Sequence, residues 1–196
     1  PEVTPISAST LITRKGDKWL FRTWSQTALQ TETVCRFAAE DLGLKNAAYI
    51  GRDDAWSRSA AEEFQPRVEA LGGKVLGIEF FPHGTTDFYG ILTKVKALNP
   101  DYIYFCILTE DAVIIKQARE VGITCQLMTT DEISHKEAYD VTGEAAIGTY
   151  VYFTSGPMTP KMVAYNKRFE ERYFIPSIPI DQSGYDSMMI MCDALE

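Results

Sequence analysis

Seven consecutive residues in the middle of this chain, Tyr102-Ile103-Tyr104-Phe105-Cys106-Ile107-Leu108, form an unbroken apolar run. A strand with one wet face alternates apolar and polar residues. A continuous run suits a strand covered on both faces, the usual condition inside a parallel sheet. Shorter apolar stretches flank it at residues 47–51, 75–81, 125–129 and 147–153, each of strand length.

The segments between these stretches carry the helical period. Phe88, Ile91, Leu92, Val95 and Leu98 line one face, with Asp87 placed to cap the helix and Asn99-Pro100 to end it. Val34, Phe37, Ala38 and Leu42 make a second stripe stopped by Gly43, and Val113, Ile114, Ala118 and Val121 a third stopped by Gly122. A fourth helix is expected over residues 55–71, kinked or broken at Pro66. Strand and helix thus alternate in successive βαβ units. Right-handed crossovers then give an α/β fold with a doubly wound parallel sheet. Ligands of such sheets bind beyond the carboxyl ends of the strands, here residues 52–57, 109–111 and 130–134.

The flanks read differently. Residues 1–14 are rich in Thr, Ser and Pro, and residues 19–24 form a short strand candidate. After Phe153 two helices are expected, over 160–173 and 183–196, with no accompanying strand pattern. They look like parts of a domain whose sheet lies elsewhere. A chain of 196 residues, 45% hydrophobic and 12% aromatic, has enough apolar side chain for a real core. Its net charge of −8 and the lack of any Lys/Arg run longer than two residues argue against a nucleic-acid partner. No apolar run approaches a membrane span. No signal-peptide pattern is read in this stretch, and the opening Pro1-Glu2 without Met suggests that an upstream portion has been removed or excluded.

Chemistry-bearing patterns are few. Cys35, Cys106, Cys125 and Cys192 make no CxxC pair, and with two histidines a metal site is not expected. The thiols read as small buried hydrophobes. Asp53-Asp54 after a strand could hold Mg²⁺ and accept a phosphoryl group, but no Lys ends a later strand as that architecture requires. The alternative is a helix cap. Asp131, at the mouth of the sheet, could pair with a ligand ammonium or could cap the next helix. Trp56 could wall a pocket or lie in the core. Nucleophile-elbow, zincin, P-loop and dinucleotide motifs are absent, and Ser134-His135 are adjacent, a poor geometry for a nucleophile and its base. No catalytic residue and no cofactor is expected.

Several segments, in order, carry a resemblance. They are Phe21-Arg22-Thr23, Gly84-Thr85-Thr86-Asp87-Phe88, Asn99-Pro100-Asp101-Tyr102-Ile103, Lys116-Gln117-Ala118-Arg119-Glu120-Val121-Gly122, Thr142-Gly143-Glu144-Ala145-Ala146-Ile147-Gly148 and Gly184-Tyr185-Asp186-Ser187. Together they resemble the type I periplasmic binding proteins of ABC importers, in the group that binds leucine, isoleucine and valine. The resemblance implies two lobes joined by crossovers. Residues 1–23 would end the first lobe and carry the hinge, 24–152 would be the complete second lobe, and 153–196 would return to the first. Much of the first lobe and a final C-terminal piece would be missing.

By the same resemblance Asp131 matches the acidic position that binds a ligand α-ammonium. Trp56 matches an aromatic position, usually Tyr, in the loop after the second lobe's first strand. Leu108 and Thr109 stand where the family often has another aromatic, and Asp54 shares the loop of Trp56. Thr23, Trp24, Phe153 and Thr154 would be the hinge. The implied function is capture of an amino acid or similar small solute by hinge closure and its delivery to an ABC permease in the membrane, in a periplasmic or other extracytoplasmic setting, with or without a lipid anchor. The rival readings are a ligand-sensing domain of a receptor or regulator with the same fold, and an enzyme on a Rossmann-like sheet.

Overall fold

A computed structural model of the chain describes every residue except Lys15, His135, Ser155 and Glu196. It falls into two compact units, one formed by Pro1–Gln26 with Thr154–Glu196, the other by Thr27–Phe153.

The first unit opens with strand β1 (Glu2–Thr4), a single helical turn α1 (Leu11–Arg14) and strand β2 (Leu20–Arg22). β1 and β2 pair in parallel as a two-stranded ribbon, with Glu2 opposite Leu20 and Thr4 opposite Arg22. The strand expected over 19–24 is confined to the three residues that find a partner in β1. The Arg22 guanidinium closes the β1–β2 connection, donating to the carbonyls of Ser7 (3.1 Å) and Ser9 (2.8 Å) and to the Thr13 hydroxyl (2.6 Å).

The second unit begins with α2 (Thr27–Arg36), which widens into a π-helical turn over Phe37–Asp41 and stops before Gly43 at φ +68°. Then come β3 (Asn46–Arg52), α3 (Ala55–Ala70), β4 (Lys74–Phe81), α4 (Tyr89–Ala97), β5 (Tyr102–Cys106), α5 (Asp111–Glu120) and β6 (Gln126–Thr129). A 3₁₀ turn (Asp131–Ser134), α6 (Lys136–Thr142), a second 3₁₀ turn (Gly143–Ala146) and β7 (Tyr150–Val151) complete it. The strands form one five-stranded sheet in the order β4-β3-β5-β6-β7, every pair parallel.

Strand periodicity sorts the core into two layers. Ala48, Ile50, Ile103, Phe105 and Leu127 face one way, against Phe88, Leu92 and Val95 around α4 and Ile114, Ile115 and Ala118 of α5. Ala47, Tyr49, Tyr102, Tyr104, Cys106 and Met128 face the other, against Val34, Cys35 and Ala38 and against Ala60, Phe64 and Val68 of α3. Helices therefore cover both faces, and the sheet is doubly wound as its central strand requires. Gly51 marks how closely α3 approaches β3. A Cβ there would lie 1.9 Å from Ser57 Oγ and 2.8 Å from the Tyr49 ring.

Four local expectations are corrected. β5 ends at Cys106, two residues before its apolar run does, and Ile107 and Leu108 enter the loop that follows. The last strand spans Tyr150–Val151 alone, because Gly148 turns the chain at φ +79° and Ile147 is exposed. α3 runs through Pro66 without a break. Pro66 and Glu62 both face solvent, so water can take the Glu62 carbonyl that the missing N–H leaves unpaired. Phe88 precedes α4 as its N-cap, while Asp87 Oδ1 accepts from the Tyr89 N–H at 3.1 Å.

The first unit resumes with α7 (Pro160–Tyr173) and α8 (Pro179–Asp193). Thr159 caps α7 by accepting from the Met162 N–H at 3.2 Å, and Phe174 closes it in the left-handed region at φ +61°. α8 starts four residues earlier than its expected span, on Pro179, with Asp181 Oδ2 accepting from the Ile178 N–H at 3.0 Å. Ser183 Oγ donates to the Pro5 carbonyl at 2.6 Å, and Thr23 Oγ1 lies 2.6 Å from Ser187 Oγ. These contacts fasten α8 to the ends of both ribbon strands. No helix among the described residues is long and apolar enough to cross a membrane.

Candidate functional site

In the order β4-β3-β5-β6-β7 the chain moves outward from β3 in both directions. Loops leaving β3 and β5 consequently diverge to opposite faces and open a crevice at the carboxyl end of the sheet. The β3–β5 ladder ends at Gly51 opposite Cys106. Beyond it stand the β3–α3 loop with Arg52, Asp53 and Asp54, and the β5–α5 loop with Leu108, Thr109 and Glu110. Two flanking loops join the rim, with His83 and Gly84 after β4 and with Thr130 and Asp131 after β6.

Asp54 is engaged through both carboxylate oxygens. Oδ1 accepts from the Ser57 N–H at 2.8 Å and so caps α3, and Oδ2 accepts from Arg52 Nε at 2.7 Å. Asp53 faces Arg58 at 2.5 Å, a pairing that lowers its carboxyl from the usual range, and the Arg58 guanidinium lies 4.7 Å from the Phe80 ring centroid. Trp56, in the first turn of α3, is half-buried against the layer of Tyr49 and Tyr104. Its indole Nε1 is buried without a hydrogen-bond partner.

Across the crevice Leu108 is half-buried and Thr109 exposed. Glu110 and Asp111 are buried, 7% and 2% exposed. Asp111 Oδ1 accepts from the Ala112 N–H at 2.8 Å, and Oδ2 has no hydrogen-bond partner. Burial, reinforced by the carboxylates of Glu132 and Glu110, pushes the Asp111 carboxyl up to about 7. Thr130 Oγ1 donates to the Ile107 carbonyl at 2.9 Å, joining the ends of β6 and β5. Asp131 is half-buried and opens the 3₁₀ turn that follows.

Asp54, Leu108 and Thr109 thus lie in carboxyl-end loops of one sheet, Trp56 in the first turn of the helix that follows β3, and Asp131 in the 3₁₀ turn that follows β6. Arg52, Glu110 and Asp111 lie in the rim segments marked out by sequence but were not singled out there. The available signal was three charged side chains placed directly after apolar strands. His135 lies outside the described residues. Among the described residues no three His, Cys, Asp or Glu side chains gather as a metal site.

Of the residues expected to form the hinge, two lie within the first unit and two flank a change of unit. Thr23 and Trp24 precede the change at Gln26 to Thr27, and Phe153 and Thr154 straddle the second change. Within the first unit, Thr23, Trp24, Lys161, Tyr165, Arg168 and Asp186 line part of an open cavity of about 610 Å³. The thiols differ from the expectation of uniform burial. Cys35 and Cys106 are buried and pushed up to about 12, whereas Cys125 is half-buried and Cys192 exposed.

Comparison with known proteins gives consistent results. The sequence matches the family described as "Periplasmic binding protein" over residues 2–196. The leucine-, isoleucine-, valine-, threonine- and alanine-binding protein of Pseudomonas aeruginosa is 24% identical over 196 residues, covering 99% of this chain and 52% of that protein. The crystal structure of the leucine-binding protein LivK from Thermotoga maritima superposes with a TM-score of 0.88 at 28% identity, over 100% of this chain and 57% of the other. The branched-chain amino acid transporter substrate-binding protein LivJ of Streptococcus pneumoniae, solved with isoleucine, shares the fold with a TM-score of 0.83 at 24% identity, over 99% of this chain and 56% of the other. The chain spans about half the length of the relatives it matches. With the doubly wound parallel sheet, the strand-end crevice and a match along nearly its whole length, this chain belongs to the periplasmic binding protein family.

Proposed function

We propose that the protein carrying this chain captures an amino acid or a related small solute outside the cytoplasm and delivers it to an ABC importer. The observation that carries this reading is the crevice at the carboxyl ends of β3 and β5 in a chain matched to solute-binding proteins along its length. The amino acids named for the relatives support the class of solute.

In this reading Asp131 accepts a charge-assisted hydrogen bond from the solute's ammonium. Trp56, Leu108 and Thr109 supply the apolar and polar wall. Asp54, with both oxygens engaged, shapes the loop that presents Trp56. Thr23, Trp24, Phe153 and Thr154 absorb a closing motion that the bound solute favours by its higher affinity for the closed form. Calorimetric titration of L-leucine into the full-length protein and its Asp131→Asn variant tests the anchor. Loss of a charge-assisted bond costs about 1.5–3 kcal/mol, so affinity is expected to fall roughly 10- to 100-fold. Equal affinity in the two proteins removes Asp131 from the site.

A further inference from the structure

Three rim loops converge on one guanidinium. Arg52 Nε donates to Asp54 Oδ2 at 2.7 Å, within the β3–α3 loop. Arg52 Nη1 lies 3.4 Å from His83 Nδ1 in the β4–α4 loop and 3.8 Å from Glu110 Oε2 in the β5–α5 loop. Glu110 Oε1 reaches back to the β4–α4 loop, 3.3 Å from His83 Nδ1 and 3.5 Å from the Gly84 N–H. The Arg52 and Glu110 side chains are 15% and 8% exposed.

Two features separate this pair from ordinary surface charge. Glu110 is the N-cap residue of α5, yet its side chain makes no cap hydrogen bond and turns across the crevice instead. The backbone ladder between β3 and β5 also stops at Gly51 and Cys106, so beyond that point Arg52–Glu110 is the described polar link across the switch point. The link joins the loop before Trp56 to the loop of Leu108 and Thr109.

We infer that Arg52 and Glu110 are positioning residues, which hold the rim loops in their binding-competent arrangement before a solute arrives. The inference rests on the solute-capture reading and adds how the site is preformed. The two meet as a largely buried ion pair at 3.8 Å without a hydrogen bond, so removing Arg52 strands the Glu110 carboxylate, whereas removing Glu110 leaves Arg52 with Asp54 and frees the β5–α5 loop. Loops released from the pair sample other arrangements, and apparent affinity falls with the competent fraction.

The experiment uses the full-length protein with Arg52→Gln, the isosteric Glu110→Gln and the double variant, with L-leucine as probe in stopped-flow binding. Reduced preorganisation is expected to slow association about 10-fold and leave dissociation unchanged, with the double variant no worse than the poorer single. Wild-type association in both single variants overturns the inference. So does faster dissociation at unchanged association, which marks direct contact with the solute. Amide hydrogen exchange without solute supplies an independent arm. The amides of His83, Gly84 and residues 107–110 are expected to exchange faster in both single variants while β5 stays protected, and unaltered exchange in these loops overturns the inference. An unmutated protein that fails to bind L-leucine counts against the proposed solute, and the exchange arm still decides whether the pair holds the loops.

Discussion

Asp111 combines two roles that oppose each other at neutral pH. Its Oδ1 accepts from the Ala112 N–H at the start of α5, a place that favours negative charge, while burial and the neighbouring Glu110 and Glu132 favour the neutral acid. Burial dominates, and the carboxyl rises from 3.8 to about 7. A carboxyl raised in the folded state binds its proton more tightly there than in the unfolded chain. The resulting stability is complete below pH 4 and is lost as pH climbs through 7. Asp111→Asn keeps an acceptor for the Ala112 N–H without the charge. Its melting temperature is expected to exceed that of the parent by about 5 °C at pH 8, and by much less at pH 5. Equal differences at the two pH values in thermal unfolding would show that Asp111 does not titrate there. This behaviour was not legible in sequence, where Asp111 read only as the end of Thr109-Glu110-Asp111. Burial comes from α5, α6 and the sheet closing together, and single-chain periodicity does not report it.

Elements were more legible than their ends. The run Tyr102–Leu108 identified a two-faced strand because five of its residues are indeed covered on both sides. Of the stripe Phe88, Ile91, Leu92, Val95 and Leu98, the first, third and fourth are fully buried and identified a core-facing helix, while Ile91 is half-buried and Leu98 exposed. Element ends depend on partners elsewhere in the chain. β7 keeps only the two residues that pair with Met128 and Thr129, although the apolar sequence continues through Tyr152 and Phe153. α3 shows the converse, a local breaker overridden by packing. Ala60, Phe64 and Val68 seat the helix on the sheet on both sides of Pro66, whose own face is exposed. Pro66→Ala restores the missing donor on that exposed face. It is expected to stabilise the protein by about 1–3 kcal/mol in denaturant unfolding. A destabilised variant would mean that the ring itself contributes packing.

At the scale of the whole molecule, the five-stranded unit is one continuous segment, Thr27–Phe153, which interrupts the other unit in sequence. Its two core layers are each complete from residues of that segment. A protein made of Thr27–Phe153 is expected to unfold in a single cooperative transition with dispersed amide resonances, and a molten, dye-binding product would refute its autonomy. The first unit lacks that independence, because α8 is fastened through Ser183 and Ser187 to Pro5 and Thr23, more than 150 residues earlier. This nested arrangement sets an order of events on the ribosome. The inner segment can acquire its native structure while the nascent chain is still growing. Strands β1 and β2 must wait, unpaired with α8, until that helix has left the exit tunnel.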